Sequence, residues 1–302
     1  MNYKIGTRGS KLALVQANMV CERLKKAYPE DTFEICVIKT KGDRIKDIPL
    51  GQIGDKGLFV TEIEQQLQSG EIQLGVHSMK DMPEQPGEGL IFAQAWERED
   101  ARDVLVLREV QLLKELPKGA VIGTGSKRRA FQLLAIRSDL QIIDIRGNVD
   151  TRLKKMQEQK LDGIVLAAAG LKRLGMEHVI TQYLETDEMI PAPAQGILAI
   201  ELRADNGRLL SMINALADDE TEKKAAAERG FLKAIDGDCH LPIGAYCEKT
   251  EDGRLRLRAM FGSEDGSQMA YADVIGDDPA VLAKEVADAI KKELGREICA
   301  EK

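Results

Sequence analysis

The sequence predicts an α/β fold: two α/β domains joined by a hinge, followed by a smaller α+β domain at the C-terminal end. Three observations lead to it. Short β-branched runs alternate with helical patterns from the start, a second series of similar build opens near Asp103, and beyond about Asp219 the pattern becomes one long helix followed by a run of strands.

In chain order, Tyr3 to Thr7 reads as a strand, Ser10 to about Ala27 as a helix, Phe33 to Lys39 as a strand, the stretch near Phe59 to Gln68 as a helix, and Leu74 to His77 as a strand. The second series runs Val104 to Leu107, Val121 to Gly123, a helix from Ser126, Gln141 to Ile145, a helix from Asn148, and Ile164 to Ala167. In both series a polar or glycine-rich turn follows an apolar strand and precedes a helix, the crevice position at which open α/β sheets take ligands. Pro191-Ala192-Pro193-Ala194-Gln195-Gly196 breaks the alternation, and the strand after it, Ile197 to Leu202, is expected to cross back to the first domain, the two crossings making the hinge. The last part gives a long helix, strands at Ile243 to Cys247, Leu255 to Met260 and Met269 to Ile275, and a closing helix from Pro279 to about Leu294. The domain boundaries expected are 1–97 with 197–216, 102–191, and 219–302.

With 302 residues and 43% hydrophobic content, the chain is long enough for two or three separate cores. It contains no apolar run long enough to span a bilayer and opens directly on strand-like sequence, so a cytoplasmic protein without membrane contact is expected. Cys21, Cys36, Cys239, Cys247 and Cys299 are odd in number and scattered, with no C-x-x-C pair, which suggests neither a disulfide framework nor a zinc site. His77, His178 and His240 are too far apart in sequence for a histidine-rich centre, and no metal is expected. The Walker pattern is absent, as is a G-x-G-x-x-G opening a helix, so nucleotide cofactors have no support.

The formal net charge is -7, yet cationic residues gather where helices begin: Gly123-Thr124-Gly125-Ser126-Lys127-Arg128-Arg129, Ile145-Arg146-Gly147-Asn148-Val149-Asp150-Thr151-Arg152, and Thr7-Arg8-Gly9-Ser10. A helix start leaves backbone N–H groups and a positive dipole end facing outward, and added guanidiniums suit carboxylates or phosphates. Because the cationic character is local, a small polyanionic ligand is favoured over a nucleic-acid backbone, and 4% aromatic content leaves little for base stacking. A solvated helix face fits Lys154, Lys155 and Lys160. It fits Arg8, Arg128, Arg129, Arg146 and Arg152 less well, since a positive charge there opposes the macrodipole unless an anion compensates it.

Val76-His77-Ser78-Met79-Lys80-Asp81-Met82-Pro83 follows a strand and should project its polar residues into the first crevice. Lys80 and Asp81 are either a solvated turn or a functional pair, in which an ionised carboxylate holds a cationic intermediate or exchanges protons with a nitrogen. Cys239, in Gly237-Asp238-Cys239-His240, is either a small buried residue or, on a loop beside His240, a nucleophile or covalent anchor. Lys56, in Gly54-Asp55-Lys56-Gly57-Leu58-Phe59, is a further candidate contact on a glycine-rich loop. Cys21 and Cys36 read as core.

Taken together, Thr7-Arg8 with Ser10-Lys11-Leu12-Ala13-Leu14, Lys56-Gly57-Leu58-Phe59, Val76-His77-Ser78-Met79-Lys80-Asp81, Gly123-Thr124, Ser126 with Arg128-Arg129, Arg146-Gly147-Asn148-Val149, Ala169-Gly170-Leu171-Lys172-Arg173-Leu174-Gly175, and Cys239 with Pro242-Ile243-Gly244 resemble the porphobilinogen deaminase (hydroxymethylbilane synthase) family of tetrapyrrole biosynthesis over nearly the whole length. The resemblance implies two domains like periplasmic binding proteins and a third that carries the cofactor-anchoring cysteine. It implies a transferase that assembles a dipyrromethane cofactor from two porphobilinogens, joins it by a thioether to Cys239, and adds four porphobilinogen units in turn with loss of ammonia. The linear tetrapyrrole hydroxymethylbilane is then hydrolysed off and passed to uroporphyrinogen-III synthase. By the same resemblance Asp81 is the catalytic aspartate, and Ser78, Lys80, Asp81, Thr124, Ser126, Arg128, Arg129 and Arg152 hold the cofactor. Arg8, Ser10, Gln16, Lys56, Arg146, Arg152 and Arg173 would hold porphobilinogen and the polypyrrole intermediates, Lys56 from a loop covering the cleft. A monomer is expected from the family.

The sequence departs from the family's pattern at Gly125, where a second serine is expected, at Asp55 in the usually glycine-rich loop, and at Asp238 and His240 around the cysteine. A non-catalytic two-lobed binding protein for a small dicarboxylate is the alternative reading. It leaves the loop cysteine and the third domain unexplained.

Overall fold

The computed structural model describes residues 1–40, 60–236 and 241–295. Its first sheet contains β1 (Asn2–Arg8), β2 (Thr32–Ile38), β3 (Leu74–Ser78), β4 (Leu90–Phe92) and β10 (Leu198–Arg203). The order is β2-β1-β3-β10-β4, with β1 parallel to β2 and β3, and β10 antiparallel to β3 and β4. The second sheet repeats that order: β7 (Gln141–Ile143), β6 (Val121–Gly123), β8 (Gly163–Ala167), β5 (Asp103–Leu107), β9 (Gln182–Leu184). Here β5 is the antiparallel member, so in each sheet the strand reached by a crossing is the one that runs against its neighbours. The third sheet is wholly antiparallel, β11 (Ile243–Lys249), β12 (Leu255–Gly262) and β13 (Met269–Gly276).

Helix α1 (Lys11–Ala27) buries Ala17, Val20, Cys21 and Leu24 against one face of the first sheet, where Ile5, Leu74, Val76 and Ile200 meet them. The opposite face takes α2 (Thr61–Ser69) through Ile63 and Leu67, against Ile38, Ile72 and Leu90. In the second sheet, α3 (Lys127–Ile136) packs Leu133 with Leu105, Ile122 and Val165 on one side. On the other side α4 (Val149–Glu158) sets Met156, and α5 (Ala168–Arg173) sets Leu171, against Val104, Ile164 and Leu166. After α6 (Gly207–Asn214), the long helix α7 (Asp219–Ala234) and the closing helix α8 (Pro279–Glu293) cover the third sheet with Phe231, Leu282, Val286 and Ile290. Helix α8 opens on Asp278, whose carboxylate accepts from the N–H groups of Ala280 and Val281, and on Pro279 in the first turn.

The chain forms two compact units, Met1–Glu99 with Ile197–Glu222, and Asp100–Gly196 with Lys223–Lys302. Inside the second, the fully buried Glu228 of α7 accepts from Ala194 N at 2.6 Å and Cys247 N at 2.7 Å, which ties the proline-rich segment to β11. Ala194 has a φ of 59°, a conformation that a non-glycine residue keeps only where its surroundings fix it.

The predicted strands and helices are present with ends shifted by a residue or two, and Phe59 lies outside the described residues. Cys21 is buried, as expected of a core residue, and Cys36 is partly buried. The sequence reading did not anticipate β4, β9, α5 or α6, which are three to eight residues long. No helix among the described residues is long and apolar enough to cross a membrane.

Candidate active site

In the first unit the candidate residues sit at the ends of β1 and β3, where the parallel strands give way to turns. Arg8 is the last residue of β1, and Ser10 caps α1, its hydroxyl accepting from Ala13 N at 3.3 Å. The buried Gln16 donates from Nε2 to Ser78 Oγ at 3.0 Å, pinning the end of β3 to α1. Beyond Ser78 the chain makes one 3-10 turn, Met79–Asp81, whose start is fixed by Met79 N donating to Ile197 O at 3.0 Å. Met79 is buried, Lys80 half-buried and Asp81 exposed. A short turn anchored by a buried methionine thus presents a carboxylate to solvent at the strand end, the geometry expected of a ligand-facing acid.

In the second unit the candidates follow β6, β7 and β8. Thr124 is buried, its N–H donating to Ile143 O at 2.9 Å and its hydroxyl accepting from Ser126 N at 3.2 Å. Ser126 caps α3 by accepting from Arg129 N at 3.4 Å. Arg128 and Arg129 are both buried, and the anion that compensates them is the chain's own Asp103. Arg128 Nη1 donates to Asp103 Oδ2 and to Ile190 O, each at 2.7 Å. Arg129 donates to Asp103 Oδ1 from Nε and Nη2, and from Nη1 to Val165 O at 3.2 Å. Gln195 Nε2 completes the cluster at 3.0 Å from Asp103 Oδ1. Burial alone would raise the Asp103 pKa, but the two guanidiniums outweigh it and hold the carboxyl well below the usual range. Two guanidiniums against one carboxylate leave a net positive charge at the start of α3.

After β7, Arg146 donates from Nε to Asp144 Oδ2 at 2.8 Å, and Lys155 Nζ donates to Arg146 O at 3.1 Å. Asn148 caps α4, accepting from Thr151 N at 2.9 Å, and Arg152 Nε donates to Gly147 O at 2.8 Å. Arg173, last in α5, donates from Nη2 to Gly196 O at 2.6 Å. Gly125 has a steric reason in this chain: a Cβ there would stand 2.7 Å from Asp144 Oδ1 and 3.2 Å from Ile145 O. The serine expected at that position would therefore displace the carboxylate that holds Arg146.

Lys56 and Cys239 lie outside the described residues, as do Asp55, Asp238 and His240. Asp103, Gln195 and Asp144 were missed by sequence reasoning. For Asp103 a signal existed: a carboxylate opening the apolar strand Val104 to Leu107 needs a buried counter-charge. No group of metal-ligating side chains occurs among the described residues.

In the second unit, the cationic side chains at the starts of α3 and α4 suit a ligand rich in carboxylates. A family model described as "Porphobilinogen deaminase, dipyromethane cofactor binding domain" matches residues 3–211, and one described as "Porphobilinogen deaminase, C-terminal domain" matches residues 223–294. The chain is 55% identical to a porphobilinogen deaminase of Lachnospira eligens over 95% of its length and 98% of the relative's. It is 51% identical to one of Clostridioides difficile over 97% of its length and 98% of the relative's. Among solved structures it is similar to the methionine-binding protein MetQ, with a TM-score of 0.47 and 12% identity over 76% of this chain and 94% of that one. Full-length identity near one half and two matched family models make the chain a member of the porphobilinogen deaminase family, with a dipyrromethane cofactor-binding domain and transferase activity in tetrapyrrole synthesis.

Proposed function

We propose that the chain condenses four porphobilinogen units head to tail on a dipyrromethane anchored at Cys239, with Asp81 as the catalytic carboxylate, and then hydrolyses off hydroxymethylbilane. The observation that carries the assignment of Asp81 is its exposure at the end of β3, on a turn whose neighbours Ser78 and Met79 are pinned by Gln16 and Ile197.

When bound, the dipyrromethane supplies the pyrrole carbon that primes the chain. Ser78, Lys80, Thr124, Ser126, Arg128, Arg129 and Arg152 would hold its carboxylates and N–H groups. Arg8, Ser10, Gln16, Lys56, Arg146 and Arg173 hold the incoming substrate, with Arg152 shared. Each addition breaks the C–N bond of the substrate's aminomethyl group and expels ammonia. Asp81 accepts a hydrogen bond from a pyrrole N–H and offsets the positive charge that develops as the amine leaves. Each pyrrole brings an acetate and a propionate, so negative charge accumulates with every unit, and guanidiniums pair such groups without losing their own charge.

The three sheets, each with its own apolar cluster, serve as three domains at 1–97 with 197–216, 102–191 and 219–302. The enzyme works as a cytoplasmic monomer. A linear tetrapyrrole with a reactive hydroxymethyl end closes on itself in water, so a ring-closing synthase, uroporphyrinogen-III synthase, consumes it next. Purified protein given porphobilinogen should release one ammonia per substrate consumed and one tetrapyrrole per four. Absence of ammonia release would refute the proposal.

A further inference from the structure

Directly beneath the catalytic turn lies a cluster of ionisable side chains that the reaction described above does not use. His77, one residue before Ser78 on β3, sets Nε2 3.2 Å from Glu201 Oε2 on β10, both side chains being shielded from water. The pairing follows from the strand register. Ala199 stands opposite His77 and Glu201 opposite Gly75, so Glu201 and His77 are diagonal neighbours on one face. Gly75 makes room for them, because a Cβ at that position would stand 2.9 Å from His77 Nε2. The third member is Glu64 of α2, half-buried on the same face, with Oε1 accepting from Gly87 N at 3.2 Å.

Neither oxygen of Glu201, nor His77 Nε2, has a hydrogen-bond partner among the described residues, so the 3.2 Å approach is a packed contact between them. A buried carboxylate without a donor is costly, and a neighbouring carboxylic acid or imidazole N–H removes the cost. Burial first, and the adjacent Glu201 carboxylate second, push the Glu64 pKa up.

We propose that His77, Glu201 and Glu64 form a positioning cluster for the catalytic turn: Glu201, packed against His77 with Glu64 beside it, fixes the His77 side chain and with it the exit of β3 that aims Ser78, Lys80 and Asp81. The inference rests on the deaminase reading of Asp81. Its reach is set by sequence proximity, since His77 precedes Asp81 by one strand residue and one 3-10 turn. Misplacing a reacting group by about 1 Å costs on the order of a hundredfold in rate. Loosening a support one step removed should cost turnover while leaving the substrate contacts of the arginines intact.

The test compares holoenzyme of the parent, Glu201→Gln, His77→Gln, the double variant and Glu64→Ala with Asp31→Asn as a control. Asp31 is buried in the same unit, pairs with the N-terminal ammonium and Arg208, and takes no part in the site, so its loss lowers stability alone. Ammonia release, cofactor content by mass, KM, kcat and urea midpoint are measured for each. Expected are kcat values down about tenfold or more in Glu201→Gln and His77→Gln, with KM and cofactor content within about twofold of the parent. The double variant should be no slower than the worse single one, and Asp31→Asn should retain the parental kcat despite a lower midpoint. Glu64→Ala, at a half-exposed site, keeps the test decisive if the buried variants do not fold: a kcat fall of about threefold or more supports the cluster, and parental kcat overturns it. Parental kcat in folded Glu201→Gln or His77→Gln, or equal losses in Asp31→Asn, also overturns it. Failure of the parent itself to release ammonia would instead defeat the deaminase reading.

Discussion

Asp103 Oδ1 accepts from both Nε and Nη2 of Arg129, at 3.0 and 2.7 Å, and this one oxygen joins the start of β5 to the start of α3. Its sister oxygen takes Arg128 at 2.7 Å. The cationic helix start therefore comes with its own buried counter-ion, and two guanidiniums against one carboxylate leave a residual positive charge there.

Asp103→Asn should leave two buried guanidiniums facing one neutral amide and destabilise the fold by about 3–5 kcal/mol, read as a lower urea midpoint. The pH dependence has a definite sign. The folded pKa of Asp103 is lowered, so its stabilising contribution is present above the unfolded value of about 4 and is lost as pH falls below it. Parent and Asp103→Asn should converge in stability on acidification below about pH 4. A difference that is constant down to acid unfolding would remove Asp103 from that role.

Asp81→Asn should keep the fold, because Asp81 is exposed and buries nothing. Cofactor content should match the parent while turnover falls by about 10²–10⁴-fold, as for loss of a positioned acid or base. Turnover near parental would take Asp81 out of the mechanism.

Gly125→Ser should push Asp144 away from Arg146, since the new Cβ would stand 2.7 Å from Asp144 Oδ1. Freed from the 2.8 Å ion pair, Arg146 should show a changed KM with kcat little altered. Steady-state kinetics check this, and an unchanged KM would mean that the Asp144 pair does not govern Arg146.

Glu228→Gln keeps shape but offers only one oxygen to the two backbone donors, Ala194 N and Cys247 N. One buried N–H is left unpaired, at a cost of about 1–3 kcal/mol. Chemical unfolding reads it, with no change in KM expected.

Where a helix or strand signalled itself locally, the fold was legible. Ser10, Ser126 and Asn148 each precede a helical pattern, and each caps a helix by accepting from a backbone N–H. Strand β9 and helix α5 were not legible, because three to six residues give no period to read. The cationic clusters were legible as helix starts. Their state was not: Asp103 lies in a different element from Arg128 and Arg129, and a pairing between distant elements leaves no trace in one sequence. His77 and Glu201 stayed hidden for the same reason, since their contact arises from the register of β3 and β10. For Cys239 and Lys56 the sequence offered only their loop placement, and their roles come from the resemblance.

The central claim is tested most directly by an intact denaturing mass spectrum of the purified chain, followed by a peptide map of the Cys239 region. The account predicts a covalent increment equal to two porphobilinogens less two ammonias, carried on the peptide with Cys239 and absent from Cys239→Ser. A chain that stays unmodified after incubation with porphobilinogen, or an increment on another peptide, would contradict it.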